Sequence, residues 1–383
     1  MDSIREELTR ATAVQAFKRE PPDLDARIID AIISVGPRNV AQIARMTSAH
    51  QETVRYKIVK RFGRRGFRFQ AEVDYAKLGL SLHWATFEIS PPYYALAPKL
   101  FGLMNEVGYI VHYSKSLPGG HYNALFALPT GTRGEFSEFL DGLKCEQIFR
   151  SFELDEVVTE RHKPMDISQF DFQRDCWDVD WQKVRNTKAV PLPVEKSRVK
   201  PLADGTDMKI IKELQINALQ HTTEIARKVG VNEKTVEYHY RKHIIDWKLI
   251  PGFRVRWMKD LTNTLTHSMI VVTLTFRGLH GEFLKKVQSS IYKLPFLWVE
   301  YFLRSGIYLA TLAVPLPDFI ETMAYVNEEL RFLGQSVDVG YMKLGDSFNY
   351  TIPYDMYVNG DWEFDTTLMK ATILEKISGG LKK

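Results

Sequence analysis

Cysteine is nearly absent: Cys145 and Cys176 are the only two in 383 residues, too few for a disulfide framework. Long hydrophobic runs are missing too. The longest, such as Met269 to Leu274, fall far short of the roughly 20 apolar residues that a bilayer-crossing helix needs. No signal-peptide pattern precedes the first helix. Neither sign of charge dominates, with 51 Lys and Arg against 47 Asp and Glu, so any basicity that matters is local. These absences predict a soluble protein of the reducing cytoplasm with no membrane partner. At 45% hydrophobic residues, a chain of this length can bury more than one core, and two to four domains are expected.

What is present is a repeat. The stretch Asn39 to Lys60 returns 182 positions later as His221 to Lys242, with Ile43/Ile225, Ala44/Ala226, Arg45/Arg227, Thr53/Thr235, Val54/Val236, Tyr56/Tyr238 and Lys60/Lys242 coinciding. Each copy reads as a helix, a tight break at Thr47-Ser48 or Val229-Gly230, and a second helix. That is the helix-turn-helix pattern. A further helix precedes each copy, with Ile28, Ile29 and Ile32 answering Ile210, Ile211 and Leu214. After the first copy, alternating apolar positions at Phe67, Phe69, Ala71 and Val73 predict a strand of a two-stranded wing.

From His83 onward the pattern reads β-α-β-β-α-β, and the same order recurs from Met269. The trailing segments also answer one another, with Trp177 and Trp362 expected to anchor each tail on its own unit. The predicted fold is therefore α+β, in two tandem units, each a winged helix-turn-helix followed by a βαββαβ ferredoxin-like domain. The expected divisions are an N-terminal arm (1–22), winged helix-turn-helix 1 (23–80), ferredoxin-like domain 1 (81–165), a trailing strand and linker (166–205), winged helix-turn-helix 2 (206–262), ferredoxin-like domain 2 (263–352) and a C-terminal tail (353–383). The linker carries Pro191, Pro193 and Pro201 among charged residues and has no apolar period.

If Val54, Ile58 and Phe62 face a trihelical core, a 3.6-residue period turns Thr53, Tyr56 and Lys60 outward. Lys234, Thr235, Tyr238 and Lys242 form the corresponding set, with Gln51 and Asn232 near the helix starts, where they could pair with base edges. Arg55, Lys57, Lys60, Arg61, Arg64, Arg65 and Arg68 form a basic flank that suits phosphate contacts. In the second copy Arg241, Lys242, Lys248 and Arg254 are offset by Glu233, Glu237 and Asp246, so the first copy is expected to bind DNA more tightly. His239 and His243 have the i,i+4 spacing of a metal pair, but no third ligand or intervening Glu lies nearby in sequence, so no metal site is assigned. The dense aromatics of the sheet domains read as core or as the sheet-to-sheet interface.

With Leu24-Asp25 opening the first helix, Ile43-Ala44-Arg45 in the second, Thr53-Val54 entering the third and Gly66-Phe67-Arg68 at the step to the wing, the chain resembles the Lrp/AsnC family of bacterial and archaeal transcription regulators. One residue more than the family norm separates Val54 from Gly66-Phe67, and the second copy shares the change. The resemblance implies a sequence-specific regulator of double-stranded DNA, cytoplasmic and nucleoid-associated, with no enzymatic activity, catalytic residue or cofactor. The ferredoxin-like domains would be of the RAM type, and two units in one chain would make a covalent pseudo-dimer that self-associates further through them. It also implies a small-molecule effector at Gly119, Gly120, His121, Arg304 and Gly306, where a hairpin turn is the plain alternative. Siroheme decarboxylases resemble the same family and stand as the rival reading, with His112, His121 and Arg304 as the acid/base or carboxylate-binding candidates. An architectural chromatin protein is the third.

Overall fold

The computed structural model describes residues 23–174, 176–190, 192, 203–257, 269–333, 337–343, 347–351 and 353–381. The expected N-terminal arm and most of the expected linker lie outside these residues.

The first three helices follow from their caps and apolar spacing. Helix α1 (Leu24–Val35) is capped by Asp23, whose carboxylate accepts the Asp25 N–H at 3.1 Å, and it buries Ala26, Ile28, Ile29 and Ile32. Asn39 caps α2 (Val40–Thr47), which stops at Ser48 in the left-handed conformation, φ 52°. Helix α3 (Gln51–Tyr56) then runs on as a π-helical segment, Lys57–Phe62, before strand β1 (Phe67–Ala71). A π-helical turn is how a helix absorbs one inserted residue, which accounts for the extra position between Val54 and Gly66.

Strand β2 (Leu80–Ile89), α4 (Ala97–Val107), β3 (Ile110–Lys115), β4 (Tyr122–Pro129), α5 (Arg133–Cys145) and β5 (Phe149–His162) follow. Next come the two-residue strands β6 (Phe170–Asp171) and β7 (Cys176–Trp177) and the short helix α6 (Trp181–Asn186). The second half begins with α7 (Gly205–Ile216), α8 (Thr222–Val229) and α9 (Glu233–Tyr238), the last again continuing as a π-helix, His239–Ile245. Strands β8 (Phe253–Trp257) and β9 (Met269–Phe276), α10 (Gly281–Lys293), β10 (Leu297–Leu303), β11 (Tyr308–Pro315), α11 (Phe319–Leu330) and β12 (Asp338–Lys343) complete it. The C-terminal segment adds β13 (Ser347–Asn349), the ribbon β14 (Tyr357–Val358) with β15 (Asp361–Trp362), and α12 (Thr366–Leu381). The fold is mixed α and β.

Nine strands form one sheet in the order β12-β9-β11-β10-β5-β2-β4-β3-β13, its halves joined by antiparallel pairing of β10 with β5. Two hydrogen bonds between Leu117 and Tyr341, 2.7 and 3.1 Å, tie the segment after β3 to β12, so the sheet curls and its halves face each other. Trp84 and Tyr301 meet across the gap with ring centroids 5.5 Å apart. On its other face, the second half-sheet packs Val272, Leu274, Leu312 and Val314 with Val287, Ile291 and Val326 of α10 and α11.

Two expectations are corrected here. The wings are not separate hairpins: β1 and β8 pair with each other, antiparallel, Arg68 opposite Arg256 and Gln70 opposite Arg254. Each helical cluster supplies one strand, and two half-wings satisfy each other's backbone groups. The tails also cross over. Trp177 packs edge-on against Phe296 at 5.1 Å, Trp181 lies 5.5 Å from Tyr325, and Val184 joins the core of the second half. Reciprocally, Trp362 donates its indole N–H to the Leu78 carbonyl at 2.7 Å, and α12 buries Met369, Ile373 and Ile377 against α4 and α5.

Candidate functional site

Two features hold chemistry-bearing side chains: the faces of the helical clusters and the gap between the half-sheets. On the first cluster Val54, Ile58 and Phe62 are buried, while Gln51, Thr53, Arg55, Tyr56, Lys60, Arg64 and Arg68 are exposed. Lys57, Arg61 and Arg65, expected on the DNA flank, turn inward instead. They converge on the carboxylate of Asp25, with Arg61 Nε at 2.7 Å, Arg65 at 3.9 Å and the Lys57 ammonium in direct contact. Asp25 has no exposed surface, and a carboxylate that deep persists as a charge only with cations around it. Arg55 pairs with Glu52 at 2.8 Å on the outer face.

On the second cluster Lys234 and Tyr238 are exposed and Thr235 is half-buried. Asn232 caps α9, accepting the Thr235 N–H at 2.8 Å. Arg241 pairs with Glu237 at 2.6 Å and Lys242 with Asp246 at 3.6 Å, and Lys248 sits at a helix end with φ 54°. Arg254 leaves the DNA set: it lies 3.7 Å from Glu72 and lines the gap between the sheets.

Among the described residues, two cavities of that gap touch Trp84. The inner one, about 270 Å³, is lined by His112, Glu160, His162, Arg254, Arg256, Trp298 and Tyr301. Arg254 and Arg256 reach it because alternate residues of β8 point to one side. Its electrostatics are cationic: burial, then Arg254, then Arg68 push the Arg256 guanidinium below its usual range. Burial also drives the His112 imidazole down to about 4, with Arg256 and Arg254 adding to the effect against the hydrogen bond to Asn349. His162 Nε2 lies 3.4 Å from Glu160, and its Nδ1 is buried with no hydrogen-bond partner. At the rim, Lys163 falls to about 8 through burial, opposed by Asp166 and Glu300.

The outer cavity, about 930 Å³, is lined by Ser116, Pro118, Gly119, His121, Arg133 and Asn123 from one half-sheet and by Thr273, Arg277, Ser305 and Asp338 from the other. Of the expected effector residues, Gly119 and His121 line it, and burial lowers the His121 imidazole. Gly120 and Gly306 hold turns at φ 72° and 85°, where glycine is favoured. Arg304 is engaged with Glu156 at 3.0 Å. Sequence reasoning missed His162, Arg254, Arg256 and Trp298 as one group; their only signal was the basic alternation of β8.

The fold of His239 and His243 also departs from the sequence reading. Asp207, more than thirty positions earlier, meets both imidazoles and Asp204 lies 3.9 Å from His239, so the carboxylates missing nearby in sequence are supplied through space.

Residues 204–242 match the AsnC-type helix-turn-helix domain, so the chain carries a domain of that type. No curated protein matches the sequence. Among solved structures, the siroheme decarboxylase NirDL shares the fold with TM-score 0.55 at 10% identity, over 93% of this chain and 99% of that one. NirDL in complex with an iron-uroporphyrin III analogue gives TM-score 0.53 at 9% identity, over 92% and 99%. An AsnC family transcriptional regulator from Agrobacterium tumefaciens matches 40% of this chain and 98% of its own at 19% identity, with a TM-score of 0.33. The expectation of a non-enzymatic protein is corrected by these findings, since the fold over nearly the whole chain is that of an enzyme. No helix among the described residues is long and apolar enough to cross a membrane.

Proposed function

We propose that the protein is a decarboxylase acting on a polycarboxylated tetrapyrrole of the siroheme class, bound in the cleft between the half-sheets of two tandem units. The observation that carries this reading is the inner cavity: two guanidiniums, two imidazoles and the aromatic faces of Trp84, Trp298 and Tyr301 on one wall system. Arg254 and Arg256 hold side-chain carboxylates, the aromatic faces receive the macrocycle, and the outer cavity supplies room for the rest of it. Loss of carboxylate breaks the C–C bond, releases CO₂ and leaves an electron pair that takes up one proton, turning –CH₂–COO⁻ into –CH₃. His162, beside Glu160, delivers that proton; His112 stays neutral near pH 7 because its folded value lies near 4.

The test is titration of the purified chain with iron-uroporphyrin III, read by its Soret band. Saturable binding at one per chain is expected, weakened about 30-fold or more in Arg254→Ala/Arg256→Ala. Product analysis with siroheme should show loss of CO₂, abolished in His162→Gln. Absence of saturable binding refutes the reading.

A second property rests on a separate observation, the AsnC-type helix-turn-helix match at 204–242. The exposed Gln51, Thr53, Tyr56, Lys60 and Arg64 of the first cluster, with Lys234 and Tyr238 of the second, would contact duplex DNA. Salt-sensitive binding of genomic fragments that weakens in Lys60→Ala/Arg64→Ala would support it; no binding at low salt would dispose of it.

A further inference from the structure

Equivalent positions of the two helical clusters hold a buried carboxylate with different partners. In the first, Asp25 faces the Lys57 ammonium and the Arg61 and Arg65 guanidiniums. At the positions 182 residues on stand His239, His243 and Trp247: Asp207 faces the two imidazoles, and Trp247 stacks on His243. Asp207 is as buried as Asp25, yet its neighbours no longer carry a fixed positive charge. The second cluster also has an extra carboxylate. Asp204 stands where the first copy has Pro22.

The four side chains converge. His239 Nδ1 lies 2.8 Å from Asp207 Oδ1 and 3.9 Å from Asp204 Oδ1, and His243 Nδ1 lies 3.0 Å from Asp207 Oδ2. One donor atom from each of the four falls within 4.8 Å of all the others. Around a tetrahedral ion with bonds of about 2.0–2.2 Å, neighbouring donor atoms stand about 3.3–3.6 Å apart, so the observed spacings bracket the requirement. Asp204 and Asp207 are oriented by the capping box at the start of α7, where each carboxylate accepts a backbone N–H. His243 is oriented by Trp247, stacked on its ring at 4.2 Å and 8°. The imidazoles come from the π-helical segment, whose wide turn presents both from one side.

We infer that Asp204, Asp207, His239 and His243 bind a divalent transition-metal ion of the zinc class, which supplies the positive charge that Lys57 and Arg61 supply in the first cluster. Two imidazole nitrogens with two carboxylate oxygens select a borderline cation over calcium or magnesium, which prefer all-oxygen shells. The ion takes the place of the protons shared between the imidazoles and Asp207, and so pins α7 to the last helix of its cluster. None of the four side chains lines the inter-sheet cavities, and the inference does not rest on the proposed activity.

Cobalt(II) is the probe, because its visible bands report coordination by nitrogen and oxygen. The full chain is used with Cys145→Ser/Cys176→Ser, since both thiols are exposed and could bind metal themselves. The chelator-stripped protein is expected to take up one cobalt with four-coordinate visible absorption, displaced by one equivalent of zinc. His239→Lys/His243→Arg rebuilds the arrangement of the first cluster and should keep the circular dichroism and melting transition while losing at least about 100-fold in cobalt affinity. Failure to bind stoichiometric cobalt, or binding undiminished in that folded variant, overturns the inference.

Discussion

Replacing Arg256 by Met is expected to make the unliganded protein more stable and its cleft less able to bind an anion. The guanidinium is desolvated within the sheet junction, directly opposite Arg68 on the paired strand and close to Arg254. Like charges facing each other across antiparallel strands cost about 0.2–1 kcal/mol per pair, and desolvation adds to that. The opposing contribution is the cation–π contact with Trp298, 5.8 Å from the guanidinium carbon, worth about 0.5–1 kcal/mol. Met fills similar volume without the charge. The balance favours the variant by about 1 kcal/mol, readable as a shift of the urea midpoint at unchanged slope. Iron-uroporphyrin III binding, measured on the same samples, should fall. If Arg256→Met loses stability by more than about 1 kcal/mol and binds the porphyrin undiminished, the residue is a structural clamp and the cationic-cleft argument fails.

Trp362→Ala should cost about 3–5 kcal/mol in urea unfolding, because it empties a buried aromatic site and strips the Leu78 carbonyl of its donor; a loss under about 1 kcal/mol would mean that the tail contributes little. Asp25→Asn should destabilise by about 3–5 kcal/mol by leaving Lys57, Arg61 and Arg65 without a counter-charge, and a neutral outcome would show that water screens them adequately. The His112 imidazole is pushed down from 6.5 to about 4 in the folded protein, so between those values the unfolded chain binds the extra proton. Stability should therefore fall by about 3 kcal/mol as pH drops from 6.5 to 4. Unfolding midpoints across that range should show the slope, and His112→Gln should remove this share of it.

Apolar spacing made the elements legible. The buried faces of α1 and α3 follow from Ile28, Ile29 and Ile32 and from Val54, Ile58 and Phe62, and the alternation at Phe67, Phe69 and Ala71 marks β1 as a strand. Partners were not legible, because periodicity says which face is buried and nothing about what covers it. Thus β1 was expected to build a hairpin wing and instead meets β8, about 190 residues away in the chain. Lys57 and Arg61 looked like phosphate ligands because a basic side chain looks the same in sequence whether it meets solvent or Asp25. The inter-sheet site was hidden for a related reason. His112, His162, Arg256 and Trp298 lie on four different strands, three of the large sheet and one of the β1-β8 ribbon, and come together only in the folded chain.

The crossing of the tails has a consequence for biosynthesis. A ribosome that has released the first half has made a body whose surface around Leu78 and α5 awaits Trp362 and α12, which are made later, with Trp362 284 residues after Leu78. Closure therefore waits on contacts of long sequence separation, and such topologies fold slowly and expose apolar sockets while they wait. The same reciprocity suggests that two fragments made separately, each carrying the plug for the other's socket, would find one another as a handclasp, whereas either one alone would remain sticky.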